Sequence, residues 1–172
     1  MHLEGTHTLK ASAKDIWAML MDHQTLAKVT PGIKTLEPAG DGKFKAVSDV
    51  KLGPVSGSFK GTMEVVDPNP PQSFTLKIKQ NSKIGNVAAE GSIALNPTGS
   101  RETEVVFSGD AKLSGTLART GQRVLSGVAR TLTNEFFQAL EDEIALMEGQ
   151  EVKKENFFQK IWKLIRNIFS AT

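Results

Sequence analysis

The stretch EVVFSGDAKLSGTLARTGQRVLSGVARTLTNEF, residues 104–136, decides the fold, because the spacing of its apolar residues changes partway along it. Up to Leu113, apolar and polar residues alternate, which is typical of a strand with one buried face. After Thr116 the apolar residues recur every three or four positions as far as Met147. This second pattern predicts an amphipathic helix of about 30 residues, whose apolar face must cover the apolar face of a sheet.

Upstream, the alternating pattern returns in segment after segment. Residues 3–10 form a first predicted strand, and about six more lie between Lys34 and Ala118, separated by turns rich in glycine and proline. Ser12 with Asp15 has the form of a helix N-cap, and a second short helix must end before Pro31. We therefore predict one α+β domain, residues 1–148: a curved antiparallel sheet of about seven strands wrapped on a long C-terminal helix, with two short helices after the first strand.

The composition excludes several classes of protein. The chain has 172 residues, 39% of them hydrophobic and 23% charged, and it contains no cysteine, so disulfides, thiolate metal sites and cysteine nucleophiles are excluded. Its longest stretch without a charged side chain is Gly91–Ser100, which is too short to span a bilayer. The net charge is +2, but from Glu151 onward five basic residues face two acidic ones, so the excess lies in the tail. The nearly neutral body lacks the basic face that binds nucleic acid.

The predicted inner face of the sheet mixes bulky residues with unusually small ones. The small residues are Ser48, Gly61, Ala89, Gly91, Gly109 and Ala111 on the strands and Gly121 on the facing helix. One hypothesis is a cavity between sheet and helix that accepts an apolar ligand. The alternative is that the glycines are bulges and close approaches in a strongly bent sheet. The residues predicted to contact a ligand are Trp17, Phe44, Phe59, Met63, Phe74, Phe107, Val124, Val128, Leu132 and Phe136.

Residues suited to catalysis are scarce. The histidines are His2, His7 and His23, and none of the familiar metal-binding, nucleophile or phosphate-binding motifs occurs. His2 and His7 fall on opposite faces of the first strand and cannot share a metal. Only His7 lies on the apolar face of that strand, which favours a hydrogen-bonded core residue. The acidic run at residues 141–143 is interpreted as a solvated helix face. We therefore predict no catalytic residue, no metal site and no covalent cofactor.

The tail, residues 157–172, differs from everything before it. On a helix at about 100° per residue its apolar side chains occupy one arc and its polar and basic side chains the other. Residues 149–156, which are polar, predict a tether. Such a tail is typical of a helix lying in the headgroup layer of an anionic membrane; a groove in a partner protein and packing on its own domain are the alternatives. The predicted membrane contacts are Phe157, Phe158, Lys160, Ile161, Trp162, Lys163, Ile165, Arg166 and Phe169.

Several stretches, in this order along the chain, resemble one known family. They are DIWAML at residues 15–20, Leu26-Ala27 with Pro31-Gly32-Ile33, KLGPVSGSFKG at residues 51–61 and GTLARTGQRV at residues 115–124. They resemble the CoxG family of carbon monoxide dehydrogenase subunits, within the START-like (SRPBCC) helix-grip superfamily, and the resemblance spans residues 1–144. It departs at residues 100–103, SRET, where the family more often has a Gly-Thr hairpin.

The resemblance implies a helix-grip fold with an apolar cavity under the long helix. It also implies association with a molybdenum-containing carbon monoxide dehydrogenase or a related hydroxylase at the cytoplasmic membrane, as recruiting factor or as carrier of a membrane quinone. The family offers no accepted catalytic residue.

Together these observations lead to one functional hypothesis and two alternatives. The hypothesis is a non-enzymatic carrier of an apolar ligand, a quinone or a lipid, that docks on the inner face of the cytoplasmic membrane and serves or recruits the hydroxylase. A cytoplasmic location is expected because the N-terminus lacks the basic start and apolar run of a secretion signal. The alternatives are a pocket enzyme of the cyclase or hydrolase type and a pure protein-interaction or assembly subunit with a filled core.

Overall fold

The computed structural model describes the backbone of residues 1–170 and the side chains of residues 1–149 and 162–166. Within this part of the chain it contains seven strands and four helices. The strands are β1 His2–Leu9, β2 Ile33–Pro38, β3 Lys43–Leu52, β4 Val55–Asn69, β5 Ser73–Ser82, β6 Gly85–Gly99 and β7 Glu102–Leu113. The helices are α1 Ala13–Met21, α2 His23–Val29, α3 Gly115–Arg119 and α4 Gln122–Ser170.

The strands form one antiparallel sheet in the order β1-β7-β6-β5-β4-β3-β2. From β2 to β7 each strand pairs with the next in sequence, and β1 closes the order by pairing with β7. The predicted curved sheet of seven strands is therefore confirmed. Because the register keeps inward residues opposite one another, Phe74, Ile93 and Phe107 lie side by side across β5, β6 and β7.

The two short helices follow β1, as predicted, and both begin at a side-chain cap. The hydroxyl of Ser12 accepts a hydrogen bond from the backbone N–H of Asp15 at 3.1 Å, and the carboxylate of Asp22 accepts one from that of Gln24 at 3.3 Å. α2 ends at Val29, ahead of the proline that disfavours helical backbone in the residue before it. The caps thus fix where α1 and α2 begin.

The long helix begins later than its apolar pattern predicts. Leu117 belongs to the five-residue α3, and Gly121 separates α3 from α4. The φ of Gly121 is +100°, a left-handed conformation that glycine adopts without strain. The assignment of Gly121 to the long helix is therefore wrong, because at this position glycine allows the chain to turn.

The long helix also extends further than predicted, since α4 has 49 residues. Residues 149–156, predicted as a tether, have helical backbone, so the predicted tail helix is a continuation of α4. The stretch is rich in glutamate and lysine, which are good helix formers, and Gly149 alone costs about 1 kcal/mol.

The apolar side chains form two separate cores. The main core lies where α1 and α2 meet the part of α4 between Phe137 and Ile144. Its most buried members include Leu9, Ile16 and Leu140. The second core lies where α3 and the start of α4 meet the sheet. Its buried members are Val55, Phe59, Leu117 and Leu125. The helices thus pack on the sheet at two places, and the middle of α4 lies between these two places.

Gly61 on β4 is not one of the residues that widen the interior, contrary to the sequence hypothesis. A methyl group at this position would overlap the backbone carbonyl of Lys79 on β5. The missing side chain therefore lets two strands approach closely, which is the alternative explanation given for the inward glycines.

We expect Gly61→Ala to destabilise the protein by about 1–3 kcal/mol, because the methyl group would force two backbones apart. Gly57→Ala on the same strand is the matched control, since the nearest atoms to its added methyl are side-chain carbons of Ile84 at 3.9 Å. The control should change the stability by less than about 1 kcal/mol. Urea denaturation measures both variants, and equal stabilities would contradict this account of Gly61.

Candidate ligand-binding cavity

A cavity of about 430 Å³ lies between the inner face of the sheet and the middle of α4. Its sheet wall is built from rows of residues paired across β5, β6 and β7. The rows are Phe74–Ile93–Phe107, Leu76–Gly91–Gly109 and Ile78–Ala89–Ala111. Because the second row ends in two glycines and the third in two alanines, the wall recedes between the bulky residues.

The glycine pair allows the backbones of β6 and β7 to come close together. A methyl group at Gly109 would lie 2.9 Å from the carbonyl oxygen of Glu90, and one at Gly91 would lie 3.3 Å from that of Ser108. On β1, Gly5 makes room for the tip of the Phe107 ring, 2.7 Å from where its methyl would be. The small residues thus have both expected effects: Gly91 and Gly109 allow a close approach of the strands, and they lie in the wall of the cavity.

The remaining walls come from the helices and from the edge of the sheet. α4 contributes Leu132, Phe136 and Leu140, which lie four residues apart and so share one face of the helix. Leu20 of α1, Leu26 of α2 and β1's Leu3 add to the wall, together with Thr30 and Pro31, which follow α2.

The side chains that face the cavity are almost all apolar. The hydroxyl of Thr133, one of the few polar groups in the wall, donates to the carbonyl of Ala129 at 2.8 Å and is already paired. Glu90 and Asp110, which alternate with wall residues along β6 and β7, have exposed side chains. Among the side chains described, no group of three or more His, Asp or Glu is placed to hold a metal ion.

Polar contacts outside the cavity tie α4 to the rest of the body. His7 donates through Nε2 to Oε1 of Glu141 at 2.5 Å, and its ring stacks on Phe137 at 4.4 Å. Lys28 of α2 donates to Glu143 at 3.5 Å. His7 therefore forms a hydrogen bond, as expected for a histidine on the apolar face of β1. Residues 141–143 are exposed or half-exposed, in agreement with a solvated face, and two of them also pair with His7 of β1 and Lys28 of α2.

The shifted pKa values belong to groups outside the cavity. Hydrogen bonds to Asp110 and Glu4 raise the pKa of His2. A hydrogen bond from Thr25 lowers the pKa of Asp22, and one from Lys34 lowers that of Asp49. None of these titrating side chains lies in the cavity wall, so these shifts give no indication of acid or base catalysis there.

Of the ten residues predicted to contact a ligand, the structure brings half together. Those in the cavity wall are Met63, Phe74, Phe107, Leu132 and Phe136. Trp17 lies behind the wall, edge-on to Phe74 at 5.6 Å, and Phe44 packs against the main core. Phe59 and Val128 belong to the second core, and Val124 is exposed. The alternation of apolar and polar residues identifies the side chains that face inward, but it does not show which of them are level with the cavity. Phe59 faces inward and lies beyond the end of the cavity.

The wall also contains residues that the prediction omits, such as Leu76, Ile78 and Leu140. Pairing of the strands would have identified the first two, because they neighbour the small residues on β6. Among the predicted membrane contacts, Trp162, Lys163, Ile165 and Arg166 are exposed on α4. The side chains of Phe157, Phe158, Lys160, Ile161 and Phe169 lie outside the described residues. No helix in the described part of the chain is both long and apolar enough to cross a membrane.

A curved antiparallel sheet wrapped on a long C-terminal helix, with an apolar cavity between them, defines the START-like class of ligand-binding folds. A START superfamily protein from Mycobacterium smegmatis superimposes with a TM-score of 0.66 at 18% identity, over 85% of this chain and 98% of that one. The ZhuI aromatase/cyclase of a Streptomyces species gives a TM-score of 0.64 at 16% identity, over 83% of this chain and 92% of that one. At these identities the likeness shows the fold.

Within this class the chain belongs to the CoxG family of carbon monoxide dehydrogenase subunits, whose model matches residues 5–145. A conserved protein from Geobacillus kaustophilus is 34% identical, with a TM-score of 0.82 over 84% of this chain and 95% of that one. A comparison with curated protein sequences gives no significant match. The family and fold predictions are thus confirmed.

We expect Ala89→Leu to weaken binding of the neutral fluorescent probe N-phenyl-1-naphthylamine about tenfold, because the larger side chain would occupy space in the cavity. Ala88→Leu is the matched control, since Ala88 precedes it on β6 and is exposed on the outer face. Fluorescence titration measures both affinities. If the two variants bind the probe equally well, the probe site is elsewhere.

Proposed function

We propose that this protein is a carrier that holds an apolar ligand, a quinone or a lipid, in the cavity under α4. The observation that supports this proposal is the cavity itself, about 430 Å³ of space with apolar walls. Sites for small molecules have volumes of this order and bury most of the ligand against apolar side chains.

The chemistry of the wall favours binding over catalysis. Its few polar side chains include Thr133, whose hydroxyl is already committed to Ala129. His7 is not a wall residue, and its ring stacks on Phe137 while its Nε2 pairs with Glu141. A pocket of this kind provides shape and an apolar surface, which is what a carrier needs to take up and release a ligand unchanged.

The described side chains near the end of α4 support docking on a membrane. Ile144 is the last buried side chain of α4 that the structure describes, and residues 145–170, the arm, add about 39 Å of helix. On the arm Trp162 and Ile165 are exposed on one face, with Lys163 and Arg166 beside them. Aromatic and aliphatic side chains next to basic ones are typical of helices that lie on anionic bilayers.

The family supplies the remaining part of the proposal. Its name links the chain to carbon monoxide dehydrogenase, and we infer that the carrier serves or recruits a molybdenum hydroxylase of this type at the inner face of the cytoplasmic membrane. A carrier that exchanges a quinone between membrane and enzyme needs both a cavity and a membrane-binding segment.

We expect purified protein to carry an apolar compound into native mass spectrometry. The mass under gentle conditions should exceed that of the denatured chain, and solvent extraction should recover the compound. Ala89→Leu should reduce the bound fraction and Ala88→Leu should not, because only the first changes the cavity wall. Protein that shows the mass of the bare chain under gentle conditions, and yields nothing to solvent, would contradict a carrier with a resident ligand.

We expect Trp162→Ala to weaken binding of the full chain to vesicles rich in anionic lipid about tenfold at every salt concentration, because burial of the indole does not depend on charge. Lys163→Ala, at the neighbouring position, should weaken binding about fivefold at low salt and little at high salt, because salt screens its attraction. Vesicle co-sedimentation measures both. Equal partitioning of Trp162→Ala and the unmodified chain would rule out this docking surface.

A further inference from the structure

Basic and acidic residues are distributed unevenly in the body of the protein. Residues 50–63, 78–89 and 111–134 together contain eight lysines or arginines and no aspartate or glutamate. The rest of residues 1–150 contains eight basic and seventeen acidic residues. The small net charge of the body therefore conceals a separation of positive from negative charge.

The fold brings these three segments together at one end of the sheet. Val55 after the β3–β4 turn, Ile84 in the β5–β6 turn and Leu117 in α3 pack in the second core. The backbone N–H of Leu117 donates to the carbonyl of Ile84 at 2.8 Å, which fixes α3 against the β5–β6 turn. Five of the eight basic residues lie around this core, and we call them the basic pole: Lys51, Lys83, Lys112, Arg119 and Arg123.

The side chains of the basic pole are exposed and lack acidic partners. None of the five forms a salt bridge with another side chain that the structure describes. Asp49 and Asp110, each two residues from a lysine of the pole, are engaged elsewhere. Asp49 pairs with Lys34 at 3.0 Å, and Asp110 pairs with His2 at 2.8 Å. The pole thus presents positive charge to the solvent with no acidic side chain paired to it.

We propose that the basic pole is a second membrane-docking surface, which binds the anionic headgroups of a lipid bilayer. Surface clusters of about four to eight lysines and arginines are attracted to anionic lipids. Val124, next to Arg123, is 42% exposed and offers an aliphatic side chain to the headgroup layer. The pole is separate from the arm, because Arg123 and Trp162 are about 58 Å apart along α4.

The residues of this end favour a bilayer over the other anionic partners. Proteins that bind single-stranded nucleic acid stack the bases on aromatic side chains. The three segments contain one aromatic residue, Phe59, and it is buried in the second core. Three of the five basic residues are lysines, which are depleted in protein–protein interfaces, where arginine is enriched. A bilayer surface needs only a cluster of exposed basic side chains.

The test measures binding of full-length variants to vesicles of equal parts phosphatidylglycerol and phosphatidylcholine by co-sedimentation. Lys83→Gln combined with Arg123→Gln should weaken binding about tenfold at low salt and less than about twofold at high salt, because salt screens the lost attraction. The control combines Lys10→Gln with Lys14→Gln, which removes the same charge from exposed side chains beside α1. The control should weaken binding less than about twofold. Equal binding by the two double variants would overturn the proposal.

A second measurement locates the contact directly. The chain has no cysteine, so Val124→Cys can carry a single NBD fluorophore, whose emission should rise when the vesicles are added. The same label at Gln24→Cys, exposed on α2, should not respond. A silent label at residue 124 on a chain that binds the vesicles would show that the arm docks alone, and would overturn the role of the pole. Trp162→Ala tests the arm separately, so either surface can fail while the other stands.

The double variant Lys83→Gln with Arg123→Gln also tests nucleic acid as the partner of the pole. Lost affinity for a single-stranded DNA oligonucleotide, with vesicle binding unchanged, would assign the pole to nucleic acid and overturn the membrane proposal.

Discussion

The structure depends on how α4 is attached to a sheet that bends away from it. Near the start of α4, Leu125 is buried in the second core. Further along the helix, Leu140 and Ile144 are buried in the main core. The pairs His7–Glu141 and Lys28–Glu143 add polar ties at the main-core end. Between these two attachments the helix spans the curved sheet without filling the space beneath it, and that space is the cavity.

The apolar walls of the cavity link ligand binding to stability. The cavity is partly open, so water can enter it, but the walls offer water few hydrogen-bond partners. A ligand that fills the cavity with apolar groups would bind the folded chain and not the unfolded one, so occupancy and stability should be coupled.

Much of the fold follows from the sequence because local rules act at most positions. Alternation predicts the strands, the change of period after Thr116 predicts the helix, and Ser12 predicts where α1 begins. The sequence alone does not show which part of a strand or helix lies level with the cavity. It also does not show which residues far apart in the chain are in contact. His7 and Glu141 are 134 positions apart, and Phe59 has the correct parity yet lies in the second core. The sequence does not reveal the break at Gly121, because the spacing between this residue and the neighbouring apolar residues fits one face of a helix.

The inward residues of β5 show where the rules of a stable core stop explaining the sequence. Phe74, Leu76 and Ile78 follow them, and Gln80 does not, since a buried acceptor without a partner costs about 1–3 kcal/mol. An apolar side chain of the same length would avoid that cost, so the fold gives no reason for an amide there. Gln80 is not among the residues of the cavity wall and its Oε1 is buried, so this cost lowers the stability of the sheet next to the cavity.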